Sequence, residues 1–282
     1  MTPRTISIDG VEAPRLLYGT AWKRDETERL AGLALAEGFR GVDTANQRRH
    51  YDEAAVGRAV GAFLRSGRIE RDDIFLQTKF TFARSQDRRI PYDPSAPVAQ
   101  QVAQSFARSL KHLGVEAVDS YLLHGPTQSV GLTAADWEAW RAIEAIHDSG
   151  RARLVGVSNF SLEQLQALGD AARVPPRFVQ NRCFARQGWD RRVRNFCAAR
   201  GVVYQGFSLL TANREVLAHP WMQSCADRCE CTPAQLVFRF ALDAGMIALT
   251  GTTSAVHMRE DLRIFDVRLD PEDSTRIESL FG

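Results

Sequence analysis

Residues 41–57, GVDTANQRRHYDEAAVG, place one Asp, one His and one Tyr within nine residues, directly ahead of a helix-like run. Elsewhere, polar or ionisable residues stand where short apolar runs give out. They are Asp43, Lys79 in FLQTKF, His124 in SYLLHGP, Ser158 and Asn159 in LVGVSNF, Gln180 in RFVQNRC, and Phe207 with Ser208 in VVYQGFS. A carboxylate, an ammonium, an imidazole and a phenol brought to one place can hold and transfer a proton. Taken singly, each has an ordinary reading. Asp43 can cap a turn, a Lys at a strand end is usually solvated, and His124 before Gly-Pro can be a satisfied core residue. Whether the elements carrying these residues converge decides between the two.

Those elements form a pattern. Eight short apolar or β-branched runs lie at 15–21, 41–45, 74–80, 120–126, 154–160, 177–183, 202–208 and 246–251. Helical candidates fall near 25–37, 53–65, 97–113, 134–149, 162–170, 190–199, 233–244 and 257–265. In VAQQVAQSFARSLKHLG, apolar Val98, Val102, Phe106 and Leu110 share one helical face, and Gly114 is a stop. Strand–helix alternation implies right-handed crossovers and a parallel sheet. Eight such units predict a closed (β/α)8 TIM barrel over 1–282 as a single domain. An open doubly wound sheet is the alternative, but no G-x-G-x-x-G follows an early strand. RTISIDGVEAPRLL, with its Asp9-Gly10 turn, predicts an N-terminal β-hairpin. Residues 81–97 read as a long loop after the third strand. In a barrel the strand-end residues above meet at one mouth.

The bulk properties are those of an ordinary globular protein, 44% hydrophobic and 25% charged, with material for a sizeable core. A net charge of +2 gives no electrostatic case for nucleic acid or membrane. MTPRTISIDG has no apolar leader-like core, and no run approaches a membrane span. Five cysteines fit a reducing compartment, so a cytoplasmic location is expected. The chain is silent on oligomeric state.

Seven segments in order, YGTAWK, GFRGVDTA, DEAAVGRAV, RDDIFLQTKF, DSYLLHGP, RLVGVSNFS and FVQNR, resemble the aldo-keto reductase superfamily. The later stretches VVYQGFSLLTAN and ALTGTTSAVHMREDL suggest a divergent bacterial or fungal branch. The resemblance implies reduction of a small-molecule carbonyl by NADP(H), with NAD(H) as the other candidate. It implies a catalytic Asp, Tyr, Lys and His, which map to Asp43, a residue of HYDE, Lys79 and His124. Reducing a carbonyl develops alkoxide charge on oxygen, which needs a proton donor. A phenol of pKa about 10 is a weak acid at neutral pH, and a neighbouring Lys⁺ is expected to lower that pKa. Counting back from Asp52-Glu53 puts His50 in the Tyr column. The loop after Asp43 is two residues longer than in common members, however, and the chemistry favours Tyr51. A protonated His50 would also meet like charge from Lys79.

For the cofactor, the resemblance maps Ser158, Asn159 and Gln180 to the nicotinamide carboxamide and Phe207, with Ser208, to the ring face. Gly19 and Thr20 of YGTAWK, with Asp43, belong to the same cleft. After the eighth strand, Gly251 and Thr252 stand where Lys and Ser are expected, and His257 where Arg is expected. Thr252, Thr253 and the amides opening the last helix remain for a 2′-phosphate, with Arg259 as the nearby cation.

Two features compete for attention. His219, Cys225, Cys229 and Cys231 fall in one segment, but their spacing matches no common zinc pattern, so no metal is expected. Arginines of NQRRHYD and FARSQDRR rim the mouth; they read as solvated surface or as selectors of an anionic substrate. Two other functions stand beside reduction. One is a non-redox or specialised biosynthetic enzyme (isomerisation or cyclisation) on the same barrel. The other is a nucleotide-sensing regulatory subunit, against which the proton-donor cluster argues.

Overall fold

The computed structural model describes residues 3–280. The chain opens with an antiparallel hairpin of β1 (Thr5–Ile8) and β2 (Val11–Pro14). Its turn residues Asp9 and Gly10 have φ of +49° and +79°, as a two-residue type I′ turn requires. The eight barrel strands are β3 (Leu16–Gly19), β4 (Gly41–Asp43), β5 (Phe75–Phe80), β6 (Val118–Leu123), β7 (Ala152–Ser158), β8 (Phe178–Arg182), β9 (Val203–Phe207) and β10 (Ile247–Thr250). They are parallel and close in the order β10-β3-β4-β5-β6-β7-β8-β9. The anticipated TIM barrel with its leading hairpin is therefore the architecture.

One helix follows each of the first six barrel strands: α1 (Thr27–Glu37), α2 (Glu53–Arg65), α3 (Val98–Leu113), α4 (Ala134–Asp148), α5 (Leu162–Ala171) and α6 (Arg191–Ala199). Between β9 and β10 lie α7 (Arg214–Leu217), α8 (Pro220–Arg228) and α9 (Pro233–Asp243). The chain continues through α10 (Ala255–Leu262) and α11 (Pro271–Ser279). The sequence pattern gave no sign of α7, α8 or α11. In α11 the reason is plain: of PEDSTRIES only Ile277 is buried, so no apolar periodicity exists. Its anchor is tertiary, the Trp189 indole N–H donating to the Ile277 carbonyl at 3.1 Å. Residues 81–97 form the predicted long connection, with one short 3-10 turn at Ala83–Ser85.

Two apolar layers hold the barrel. The inner one joins Leu17, Phe75, Leu122, Leu154, Phe178 and Ile247 inside the barrel with Ile8, Val11 and Ala13 of the hairpin. The hairpin thereby packs onto the barrel interior through its own apolar face, leaving the opposite end for chemistry. The outer layer lies between strands and helices, with Trp140, Phe106 and Phe39 fully buried. Gly57 on α2 lies so close to the His112 carbonyl of α3 that no Cβ fits there. That approach brings Glu53 of α2 to 3.0 Å from His112. Among the described residues no helix is long and apolar enough to cross a membrane.

Candidate active site

Asp43 ends β4 and pairs across to Gln77 of β5. Side chains alternate along a strand, so Gln77 and Lys79 face the same side. That side is the barrel interior. Asp43 Oδ1 accepts from Lys79 Nζ at 2.6 Å, Gln77 Nε2 at 2.7 Å and Gln180 Nε2 at 3.0 Å. Lys79 also donates to the Thr44 carbonyl at 2.9 Å. Behind them Gln205 Oε1 accepts from Gln77 at 2.8 Å and from Gln180 at 2.9 Å, and Gln205 Nε2 donates back to Gln77 at 3.0 Å. These polar groups are all buried, and their shared donors hold the Asp43–Lys79 pair in one geometry. Burial holds the Lys79 ammonium below the usual lysine range, opposed by the Asp43 charge.

The loop after β4 decides which residue faces this pair. The Gln47 carbonyl accepts from the main-chain N–H of Tyr51 at 3.0 Å and of His50 at 3.2 Å, forming a turn ahead of α2. Asp52 caps α2 by accepting from Ala55 N–H at 3.1 Å. Both candidate acids reach the same cavity, but the turn gives them different neighbours. The Tyr51 ring lies 5.5 Å from Lys79 Nζ and edge-on to His124, with centroids 5.9 Å apart. The His50 ring instead stacks on Trp22, with centroids 3.8 Å apart, and the Trp22 N–H donates to the His50 carbonyl at 2.7 Å.

The electrostatics of Tyr51 differ from the sequence expectation. Its phenol is pushed well above the ordinary range, by burial first and by the Asp43 charge second. Lys79 does not depress it, because that ammonium is already neutralised by a carboxylate at 2.6 Å. His124 is held well below the usual histidine range by burial, then by Lys79 and His50. The ring is therefore neutral near pH 7. Its Nδ1 contacts the Thr81 hydroxyl at 2.6 Å, which leaves Nε2 for the cavity.

A cavity of about 850 Å³ opens over these residues. Gly19, Asp43, His50, Tyr51, His124, Ser158, Asn159, Gln180, Phe207, Ser208, Gly251, Thr252 and His257, all singled out from sequence, line it. Asn159 and Ser208 have φ of +58° and +57°, left-handed conformations uncommon for such residues, and both sit just past strand ends at the cavity wall. The Ser158 hydroxyl donates to the Gln180 carbonyl at 2.7 Å, and Asn159 Nδ2 donates to the His124 carbonyl at 2.8 Å.

Four residues are placed otherwise than the sequence implied. Lys79 lies beneath the cavity, fully buried, rather than on its wall. Thr20 is also buried, its hydroxyl spent on the Asp43 carbonyl at 2.9 Å. Thr253 is exposed and off the lining. Arg259, taken as the nearby cation, pairs with Glu37 of α1 at 2.7 Å, also off the lining. Its place on α10 turns it toward the neighbouring helix. Arg182, over the Phe207 ring at 5.5 Å, and Lys23 are cations that do line the cavity; Lys23 donates to the Gly251 carbonyl, and burial holds it below the usual lysine range. It stands in YGTAWK, yet nothing local distinguishes it from a solvated lysine. Gln77 and Gln205 were also missed, although their two-residue spacing from Lys79 and Phe207 was a usable signal.

Away from the cavity, Cys225, Cys229 and Asp273 offer ligand atoms within 4.8 Å of one another. Arg228 occupies that group, donating to Asp273 at 2.5 Å and contacting Cys225 Sγ at 3.4 Å. A cation already seated there opposes a metal ion.

Comparison with known proteins gives the same family throughout. The Aldo/keto reductase family model matches residues 15–281. An aldo-keto reductase of Mycolicibacterium smegmatis is 30% identical over 282 residues, covering 99% of this chain and 94% of that protein. The uncharacterized oxidoreductase YtbE of Bacillus subtilis is 28% identical over 274 residues, covering 96% and 90%. The crystal structure of an aldo/keto reductase from Brucella melitensis superposes with a TM-score of 0.84 at 28% identity, covering 99% of this chain and all of that one. With a closed barrel, a polar cluster at one mouth and a family match over nearly its whole length, this chain belongs to the aldo/keto reductase family.

Proposed function

We propose that the chain, acting as one catalytic domain, reduces an aldehyde or ketone to an alcohol with a nicotinamide nucleotide, and that Tyr51 donates the proton. The observation that carries this reading is the different neighbours of the two candidate acids. Tyr51 faces Lys79 and His124, whereas His50 is stacked on Trp22.

The residues present suit such a nucleotide. At one end, Gln180 and Asn159 have spent their amide N–H groups within the protein, leaving Gln180 Oε1 and Asn159 Oδ1 as acceptors for a carboxamide N–H₂. Phe207 offers a ring face on the same wall. At the other end, Lys23, Thr252 and the amides opening α10 supply donors for phosphate. The chemistry such a nucleotide supplies when bound is hydride donation to the carbonyl carbon.

The chain's own groups then handle the oxygen. His124 Nε2–H hydrogen-bonds the carbonyl oxygen and orients it, with Thr81 holding the other ring nitrogen. As charge develops on that oxygen, the Tyr51 hydroxyl gives up its proton. Its raised pKa keeps the phenol protonated across the physiological range. Lys79 and Asp43 lie beneath the Tyr51 ring as an internally compensated pair, which positions the ring without adding net charge.

Tyr51→Phe tests the assignment, because it deletes one hydroxyl and retains the ring. Carbonyl reduction should fall about 10²–10⁴-fold with nucleotide affinity unchanged, and His50→Ala should retain more activity. A fully active Tyr51→Phe beside an inactive His50→Ala would assign the acid to His50.

A further inference from the structure

Past His124 a second cavity, of about 480 Å³, adjoins the first. The two share Gln47, His124 and Asn159, so a molecule with its carbonyl at Tyr51 has room to extend its tail there. The residues lining this second cavity include the polar Ser129, Gln128 and Arg84 beside Phe82 and Pro126.

Gln47 says what the tail must offer. Its side chain is buried, and Nε2 donates to the Ser85 carbonyl at 2.9 Å. A carbonyl only accepts, so this bond fixes the amide orientation and assigns the other atom as Oε1. That oxygen is buried and finds no donor in the protein. An acceptor left without a donor in such a place is costly unless a ligand or water supplies one. Arg84 gives the second requirement. It donates to the Pro126 carbonyl at 2.6 Å and makes no ion pair among the described residues. Of the other arginines in these two loops, Arg48 and Arg89 are committed to Asp52 and Asp87 and line neither cavity. A guanidinium keeps donors in hand after one bond and matches a carboxylate in a bidentate fork.

We infer that the second cavity binds the tail of the carbonyl substrate, and that this tail carries a hydroxyl donated to Gln47 Oε1 and a carboxylate held by Arg84. The inference rests on the reductase reading for the carbonyl end, and on Gln47 and Arg84 alone for the tail.

Binding can be measured without turnover. D-Gluconate carries hydroxyls and a carboxylate, xylitol only hydroxyls, and pentanoate only the carboxylate. Calorimetric titration of the intact protein should give gluconate the tightest binding, by about tenfold over either. Arg84→Met should weaken gluconate and pentanoate but not xylitol. Gln47→Leu should weaken gluconate and xylitol but not pentanoate. This crossed pattern cannot come from general unfolding. In turnover, the preference in kcat/KM for D-glucuronate over hexanal should fall about tenfold or more in each variant. Absence of gluconate binding, or equal losses for all three ligands, overturns the inference. The crossed pattern in a protein that reduces no aldehyde would keep the tail subsite and refute the reductase reading. Reduction of simple aldehydes without the pattern would do the reverse.

Discussion

Replacing Lys79 by methionine removes the ammonium that Asp43 holds at 2.6 Å, with both side chains out of water, at 0% and 4% exposure. Breaking a buried pair by removing one partner typically costs about 3–5 kcal/mol, because a charge is left uncompensated. Here Asp43 Oδ1 keeps two amide donors, Gln77 and Gln180, so the lower end, about 3 kcal/mol, is the expected loss. For a chain of this size that is a fall in melting temperature of roughly 6–12 °C. Asp43→Asn/Lys79→Met should restore at least half of the loss. The new amide oxygen still accepts from the two glutamines, and its N–H₂ can reach for the Thr44 carbonyl that Lys79 releases. Urea denaturation of the wild type, both single variants and the double variant gives the coupling energy directly. Turnover should be absent from all three variants, because recovered packing does not rebuild the Lys79–Asp43 pair beneath Tyr51. Nucleotide affinity of Lys79→Met should stay within about threefold, roughly 0.65 kcal/mol, since Lys79 does not line the cavity. A Lys79→Met protein within about 1 kcal/mol of wild type would refute the reasoning. So would a double variant whose loss is the sum of the singles.

Three further outcomes follow from the same geometry. With Lys23 as the lining cation bonded to Gly251, Arg182 over Phe207 and Arg259 committed to Glu37, the preference for NADPH over NADH should be modest, and Lys23→Met should weaken NADPH by about tenfold or more and NADH less; a several-thousandfold preference in the wild type would count against it. Because burial raises the Tyr51 phenol and lowers His124, reduction rates should stay flat from neutrality to about pH 9, whereas a His50 acid, which burial and then Arg49 hold below the ordinary histidine range, would already be losing activity below neutrality, and stopped-flow rates against pH distinguish the two. Asp261, accepting from Thr250 at 2.7 Å on the cavity wall, is pushed by burial from 3.8 to about 6. Its unfolded form ionises first, so the native state binds more protons between those values, and stability falls as pH rises through that window. Asp261→Asn should therefore stabilise the protein by about 3 kcal/mol at pH 8 relative to its effect at pH 3, and an equal effect at both would show that Asp261 ionises normally.

Much of this molecule was legible in order along the chain. Eight apolar runs alternating with amphipathic stretches imply the barrel, because parallel strands need crossovers and right-handed crossovers wind one way. Asp9-Gly10 specified the hairpin turn, since few other pairs adopt left-handed backbone twice in succession. Asp43, His124, Ser158, Asn159 and Gln180 could be nominated because a strand end is a local feature and a barrel brings all its strand ends to one face. The rest depended on contacts between distant residues. Whether Tyr51 or His50 faces Lys79 turns on one bend, set by the Gln47 carbonyl and by Trp22 arriving from another strand's loop. Arg259 reads as a phosphate partner until Glu37, 222 residues earlier, claims it. The Tyr51 pKa could not be signed from residue types, because a lysine lowers it only if that lysine's charge is unspent. Asp43 and Lys79, 36 residues apart, cancel each other inside the barrel. Local spacing determined which groups reach the mouth; only the packed structure decided which of them remain charged, free and facing the cavity, since charge and hydrogen-bond capacity are shared among neighbours that the chain order does not reveal.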